Sequence, residues 1–242
     1  MAKIISFYGS PSSGKTSLAL KTAMEIYCET KDEKVVFLSP DLNVPSIGLL
    51  FPNYSPDDIC SLGQILDNTD ITADTVLENA VTVKSMKDFI CLGFKAGDNK
   101  FSFPVTTEDK VSDLFKILSE IAGYIVVDCT ADETDSISGR AIANADIIIR
   151  VISPDTKGMA WYSSHKGIKD TAETEVFNIV NVTDKDLFYP VEEICDKVDS
   201  VLAVIPYSKN LKQQMLDGRM TERLNERPYN KKLRFLTEKI LI

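Results

Sequence analysis

The chain has little of what builds metal and disulfide sites: one histidine, His165, in 242 residues. A single imidazole argues against a histidine-based metal centre. Its five cysteines, Cys28, Cys60, Cys91, Cys129 and Cys195, are odd in number and show no CxxC spacing. They read as small apolar residues in a reducing compartment, not as a disulfide frame or a zinc site. The longest apolar runs are strand-sized, too short to cross a bilayer as a helix. Met1-Ala2-Lys3-Ile4-Ile5-Ser6-Phe7-Tyr8 lacks the apolar core and small-residue cleavage site of a signal peptide. Together these absences predict a cytoplasmic protein. Repeats and low-complexity tracts are also missing. A formal charge of -9 argues against broad nonspecific DNA binding, which needs clustered Lys and Arg.

What is present is ordinary globular material, 44% hydrophobic and 26% charged, enough for one domain spanning 1–242. Basic residues do gather late, at Lys209, Lys212, Arg219, Arg223, Arg227, Lys231, Lys232 and Arg234, and read as a solvated helical face. Short β-branched runs alternate with helical stretches. Strands are expected at Ile4–Tyr8, Lys34–Leu38, Phe89–Phe94, Tyr124–Asp128, Asp146–Ile152, Val176–Val182 and Ser200–Ile205. A helix is expected from Thr16 to about Thr30, another over Val111–Ala122, and mainly helical structure over Ser61–Met86. Continuous apolar strands separated by helices predict an α/β fold, a mostly parallel twisted sheet with helices on both faces. Ligands of such sheets lie beyond the carboxyl ends of the strands.

One segment there carries chemistry by itself. Gly9-Ser10-Pro11-Ser12-Ser13-Gly14-Lys15-Thr16 is a complete G-x-x-x-x-G-K-[ST] motif between an expected strand and an expected helix. Its backbone N–H groups and the helix N-terminus, with Ser17 in the first turn, suit phosphate oxygens. Lys15 is the candidate to reach the β- and γ-phosphates and Thr16 the candidate Mg²⁺ ligand, which makes ATP and Mg²⁺ the expected cofactors.

Acids at neighbouring strand ends complete such a site. Asp128 closes the most hydrophobic strand and is the second candidate for the Mg²⁺ shell; the alternative is a helix cap or turn. Asp41, just past another strand, is the candidate to orient an attacking water, with a turn at Pro40-Asp41 as the alternative. Asp132, Glu133 and Asp135 fit a solvated loop that supports the next helix. In Asn181-Val182-Thr183-Asp184, Val182 stands where a guanine reader would carry Lys, so Asn181 is a candidate for the adenine edge, or else a turn residue.

In order along the chain, these pieces resemble the MinD/ParA family of P-loop ATPases, including CpaE-like pilus-assembly relatives. The resemblance covers the N-terminal loop, Pro40-Asp41-Leu42-Asn43, Ile90 to Gly97, Tyr124 to Asp128, Ala143 to Asp155, and Val204-Ile205-Pro206-Tyr207 followed by Leu216 to Arg219. It implies ATP and Mg²⁺ binding, a nucleotide-dependent homodimer, and a slow ATPase whose protein partner stimulates it. It also implies positioning or assembly of a larger machine, of partitioning, pilus or secretion type. By the same resemblance Asp41 matches the water-orienting acid, Asp128 the second-switch acid, and Pro206 lies beside the adenine. Three positions depart from the pattern. Ser10 replaces a signature lysine that reaches across the dimer, Ser39 replaces an earlier acid, and no glycine follows Asp128 in Cys129-Thr130-Ala131-Asp132. Two other functions therefore stay open. One is a nucleotide-binding interaction protein with little hydrolysis. The other is a small-molecule kinase, although residues 52–86 contain no arginine for its lid. Leu233, Leu236 and Ile240 keep helical spacing beside Lys231, Lys232 and Arg234. That stripe suits either peripheral contact with a membrane surface or a last core helix. Trp161-Tyr162 reads as packing or a protein contact.

Overall fold

The computed structural model describes residues 2–31, 33–52, 54, 59–83, 85–167, 174–187 and 189–242. Met1 and Lys84, the latter in the stretch expected to be mainly helical, lie outside them. The strands are β1 (Lys3–Gly9), β2 (Val35–Ser39), β3 (Val81–Val83), β4 (Met86–Gly93), β5 (Tyr124–Asp128), β6 (Ile147–Ile152), β7 (Glu175–Asn181) and β8 (Val201–Ile205). They form one sheet in the order β3-β4-β2-β5-β1-β6-β7-β8. Every neighbouring pair is parallel except β3 and β4.

The helices run from α1 (Lys15–Glu29) through α2 (Ile47–Leu50), α3 (Leu62–Asp67), α4 (Ala73–Glu78) and α5 (Glu108–Ile121) to α6 (Ser136–Ala143). Then come α7 (Thr156–His165), α8 (Val191–Cys195), α9 (Lys209–Leu216) and α10 (Arg227–Leu241). They cover both faces of the sheet, and each face carries its own apolar cluster. Ile4, Val36, Ile125, Val127, Ile148 and Val180 point to one, with α5 and α6; Ile5, Phe7, Val35, Phe37, Val126 and Ile149 point to the other, with α1 and α10. This division follows from the two-residue period of a strand, which sends neighbours to opposite faces. With both faces covered, strands can be buried at every position and largely apolar, as β2 and β6 are apart from Ser39 and Arg150.

Local signals explain several boundaries. Thr107 accepts from the N–H of Lys110 at the start of α5, whose first turn carries Glu108 and Asp109 against the helix dipole. At α3 the Ser61 hydroxyl accepts from Gly63 while the Gln64 side chain takes the N–H of Ser61. The expected run of helix over 61–86 is corrected here. It breaks after Asp67, restarts where Thr72 caps α4, and ends in the β3–β4 hairpin. Val81-Thr82-Val83 is β-branched throughout, so it favours the pleated edge of the sheet over a helix. The third strand expected at Phe89–Phe94 is β4, three residues longer at its start because that hairpin extends it.

The apolar stripe of α10 is used by the core. Tyr229, Leu233, Leu236 and Ile240 are buried, whereas Lys231, Lys232 and Arg234 are exposed, and Arg234 pairs with Glu25 of α1 at 3.0 Å. The residues offered for membrane contact therefore face the body of the protein, because the stripe covers apolar surface on α1 and β8. Among the described residues no helix is long and apolar enough to cross a membrane. Leu236 is fully buried, so Leu236→Ala is expected to cost about 2–5 kcal/mol of folding stability by urea unfolding. A loss near zero would mean that this face is not part of the core.

Candidate functional site

β1 is an inner strand of the sheet, and the chain leaves it through a tight turn before entering α1. Two glycines make that turn possible. A Cβ on Gly9 would sit 2.1 Å from the carbonyl oxygen of Val151, so only glycine lets β6 lie this close. Gly14 has φ 78°, and a Cβ there would meet Asn181 Nδ2 at 2.5 Å. Ser12 is also left-handed, with φ 60°.

Gly14 stands at the N-cap of α1 without a side chain to offer, and the first turn holds no acid. The first N–H groups of a 15-residue helix are thus left for an external acceptor, with the positive end of its dipole behind them. Such a turn is an anion site by construction. Nearby, the Ser13 hydroxyl is fully buried and has no partner.

Asp128 closes β5 next to this turn and is 4% exposed. Burial pushes its carboxyl above the usual carboxylate range; the Lys15 ammonium and the hydroxyls of Thr16 and Ser39 oppose that rise, and Asp41 adds to it. Ser39 donates to Oδ2 at 3.3 Å and lies 2.7 Å from the Ser46 hydroxyl, whereas Oδ1 is buried without a partner. The serine in place of the expected acid therefore spares Asp128 a second negative charge. Asp128, Thr16, Lys15 and Asp41 are all brought to one end of the sheet. Asp41 is half-buried and closes a turn, its Oδ1 accepting from the N–H groups of Asn43 and Val44, both at 2.9 Å.

A cavity of about 380 Å³ opens beside the turn, lined by Ser12, Ser13, Gly14, Lys15, Thr16 and Ser17 together with Asn181 and Pro206. Gly9, Ser10 and Pro11 are not among its lining residues. Gly9 packs on β6, Pro11 is exposed, and Ser10 is fully buried with its hydroxyl 3.3 Å from that of Ser153. Asn181 does not present its whole amide to the cavity. Its Nδ2 donates to the carbonyl of Ser13 at 2.7 Å, which ties β7 to the loop. Asn181, the candidate for the adenine edge with a turn as the alternative, thus links strand and loop through its Nδ2.

Sequence reasoning did not name Tyr207, Leu211, Lys212, Met215 and Tyr229 as site residues, although all five line the cavity. Lys212 Nζ stands 5.0 Å from the centre of the Tyr207 ring. One signal was available: Leu211 and Met215 are spaced i, i+4 in Lys209-Asn210-Leu211-Lys212-Gln213-Gln214-Met215, whose other residues are polar.

The loop after β5 is anchored at both ends. Asp135 caps α6 by accepting from Ser138 at 2.7 Å, and Glu133 accepts from the Tyr8 hydroxyl at 2.8 Å. Tyr8 packs edge-on to Trp161 at 4.9 Å, and Trp161 stacks on His165 at 4.7 Å. Trp161 and Tyr162 are both buried, which makes that pair packing residues.

This fold, with a glycine-rich turn between its central strand and first helix, is that of the α/β P-loop proteins. More narrowly, it matches the MinD and ParA ATPases. The septum site-determining protein MinD of Pyrococcus horikoshii, solved with Mg-ADP, superposes with a TM-score of 0.71 at 18% identity, over 99% of this chain and 96% of that one. A ParA family ATPase from Chlorobium tepidum gives 0.75 at 15% identity, over 100% and 98%. A chain of the MinC:MinD cell division protein complex from Aquifex aeolicus gives 0.73 at 16%, over 98% and 95%. No family model matches the chain, and no curated protein matches it by sequence.

Because the folded pKa of Asp128 lies above its ordinary value, the folded state takes up this proton more readily than the unfolded chain. The ionised carboxylate therefore costs stability at neutral pH. That cost vanishes as pH falls below the ordinary carboxylate value. Asp128→Asn is expected to raise the melting temperature of the ligand-free protein at pH 7 and to flatten its stability profile on the acid side. A lower melting temperature would show that Lys15 and Thr16 more than offset the burial of the charge.

Proposed function

We propose that this chain is an ATP- and Mg²⁺-binding P-loop switch of MinD/ParA type. In this reading it is a slow ATPase, stimulated by a protein partner, that positions or assembles a larger machine as one domain. The observation that carries the proposal is the uncapped, acid-free start of α1 beside the buried and unpartnered Asp128 Oδ1. The donor set suits the metal: a hydroxyl, a carboxylate oxygen without a partner, and phosphate oxygens from the ligand are hard oxygen ligands of the kind Mg²⁺ takes. When bound, the ion would neutralise charge developing on the phosphates. Thr16 and Asp128 would hold it, Lys15 would pair with the terminal phosphates, and Ser12 to Ser17 would supply backbone N–H groups. Asp41 keeps its Oδ2 for a water, since Oδ1 is used in its own turn.

The base enters the cavity between Asn181, Pro206 and α9. With Nδ2 given to Ser13, Asn181 offers its carbonyl oxygen, an acceptor that matches the 6-amino group of adenine and opposes the 6-oxo group of guanine. Val182 provides no cation there. Lys15→Ala is expected to abolish ATP binding with the fold retained, read by titration with a fluorescent ATP analogue and by circular dichroism. Equal affinities for the two proteins would remove the proposal. In competition at the same site ATP should displace the analogue well below the concentration of GTP required; a preference for GTP would overturn the assignment of Asn181.

Ser10 favours the version of this function with little turnover. Fully buried on Ser153, it cannot carry charge to a second subunit. A charge supplied in trans to phosphoryl transfer is worth on the order of 10³ or more in rate. Asp41→Ala protein with Mg²⁺-ATP is therefore expected to sediment as it does without nucleotide. A nucleotide-dependent dimer, with turnover unchanged by Ser10→Ala, would show that another cation replaces the missing lysine.

A further inference from the structure

Lys21 lies in α1, two turns beyond the phosphate loop, and is 3% exposed. An ammonium carries three N–H donors, and here all three find acceptors. Nζ donates to Gln214 Oε1 at 2.9 Å, to the carbonyl of Met220 at 2.7 Å and to the carbonyl of Glu222 at 2.7 Å. All three acceptors belong to α9 or to the segment that joins it to α10. Gln214 is itself fixed, because its Nε2 donates to the carbonyl of Arg223 at 3.3 Å. One side chain of the phosphate-binding helix therefore gathers a segment some two hundred residues away in sequence.

Besides Lys21, α9 is held by Leu211, packed against the core, and by its cap Ser208, whose hydroxyl donates to Glu226. Gln214 is its one buried residue, and Leu216 is 82% exposed. The helix also supplies Leu211 and Met215 to the lining of the cavity that the phosphate loop borders. The charge is held there against its own solvation: burial pushes the ammonium down to about 8, with Glu222 opposing the shift. A buried cation satisfied by hydrogen bonds is a poor source of stability compared with an apolar side chain of the same volume. What it does supply is geometry, since three directional bonds fix where the segment sits.

We propose that Lys21 is a positioning residue for the nucleoside half of the ligand, locking α9 and its apolar wall at a set distance from the phosphate loop. The inference rests on the nucleotide reading above. It divides the site into two parts: phosphate contacts made by the loop itself, and base contacts made by α9 and dependent on Lys21. A purely structural lysine would not distinguish them.

The test compares ATP with inorganic tripolyphosphate, both with Mg²⁺, by calorimetric titration of the full chain. Lys21→Met keeps the aliphatic stem and removes the donors. It is expected to weaken ATP by about tenfold or more while changing tripolyphosphate by less than about twofold. Gln214→Leu, which removes one acceptor only, should shift ATP in the same direction by a smaller factor, and it carries the test if Lys21→Met does not fold. Lys21→Arg, which keeps the charge and donors, should recover part of the loss. Equal losses for both ligands, or no loss for either, in the folded variants would overturn the role of Lys21 while leaving ATP binding by the parent protein intact. If the parent protein binds neither ligand, the nucleotide reading falls and this inference falls with it.

Discussion

The uncapped start of α1 is the constraint around which the carboxyl end of the sheet is arranged. A helix end that lacks a capping side chain must have its N–H groups satisfied from elsewhere. Here the turn that delivers the chain to that end is shaped by contacts from three strands. β6 presses on Gly9, β7 sends Asn181 to the Ser13 carbonyl, and β5 sets Asp128 beside Lys15 and Thr16. The order β5-β1-β6-β7 puts those strands side by side, so the sheet topology and the shape of the turn depend on each other. Parallel strands suit this purpose because all their carboxyl ends meet at one edge.

Charge is handled economically at that edge. The buried carboxylate of Asp128 faces a lysine and hydroxyl groups, and Ser39 and Ser46 occupy neighbouring ground without adding negative charge. Ser10 makes a similar neutral contact with Ser153. Both Ser10 and Ser39 are neutral and buried. Neutral hydroxyls there leave fewer charges to bring out of water.

Much of this was legible from residue order. Apolar runs gave the central strands, and the phosphate-loop motif gave the turn, because both signals are local. The hairpin β3–β4 was not legible as such, because Val81-Thr82-Val83 is too short to outweigh the helical periodicity around it. The fate of the α10 stripe was equally hidden: amphipathic spacing says that a face is apolar, not what it lies against. Asn181 was singled out correctly as a strand-end residue, but its bond to Ser13 spans 168 residues and has no local signature. The α9 wall depends on the same kind of distant contact, through Lys21.

The chain's lone indole occupies an informative place. Trp161 lies against Tyr8, the residue just before the turn, and Tyr8 in turn grips the loop after β5 through Glu133. The indole is also stacked on the only imidazole, which bonds back to the Trp161 carbonyl. Any rearrangement that draws Glu133 away would change the packing of a single fluorophore, with no competing emitter of the same kind. The protein thus carries an intrinsic optical gauge of its own loop, readable without a label or a second chromophore.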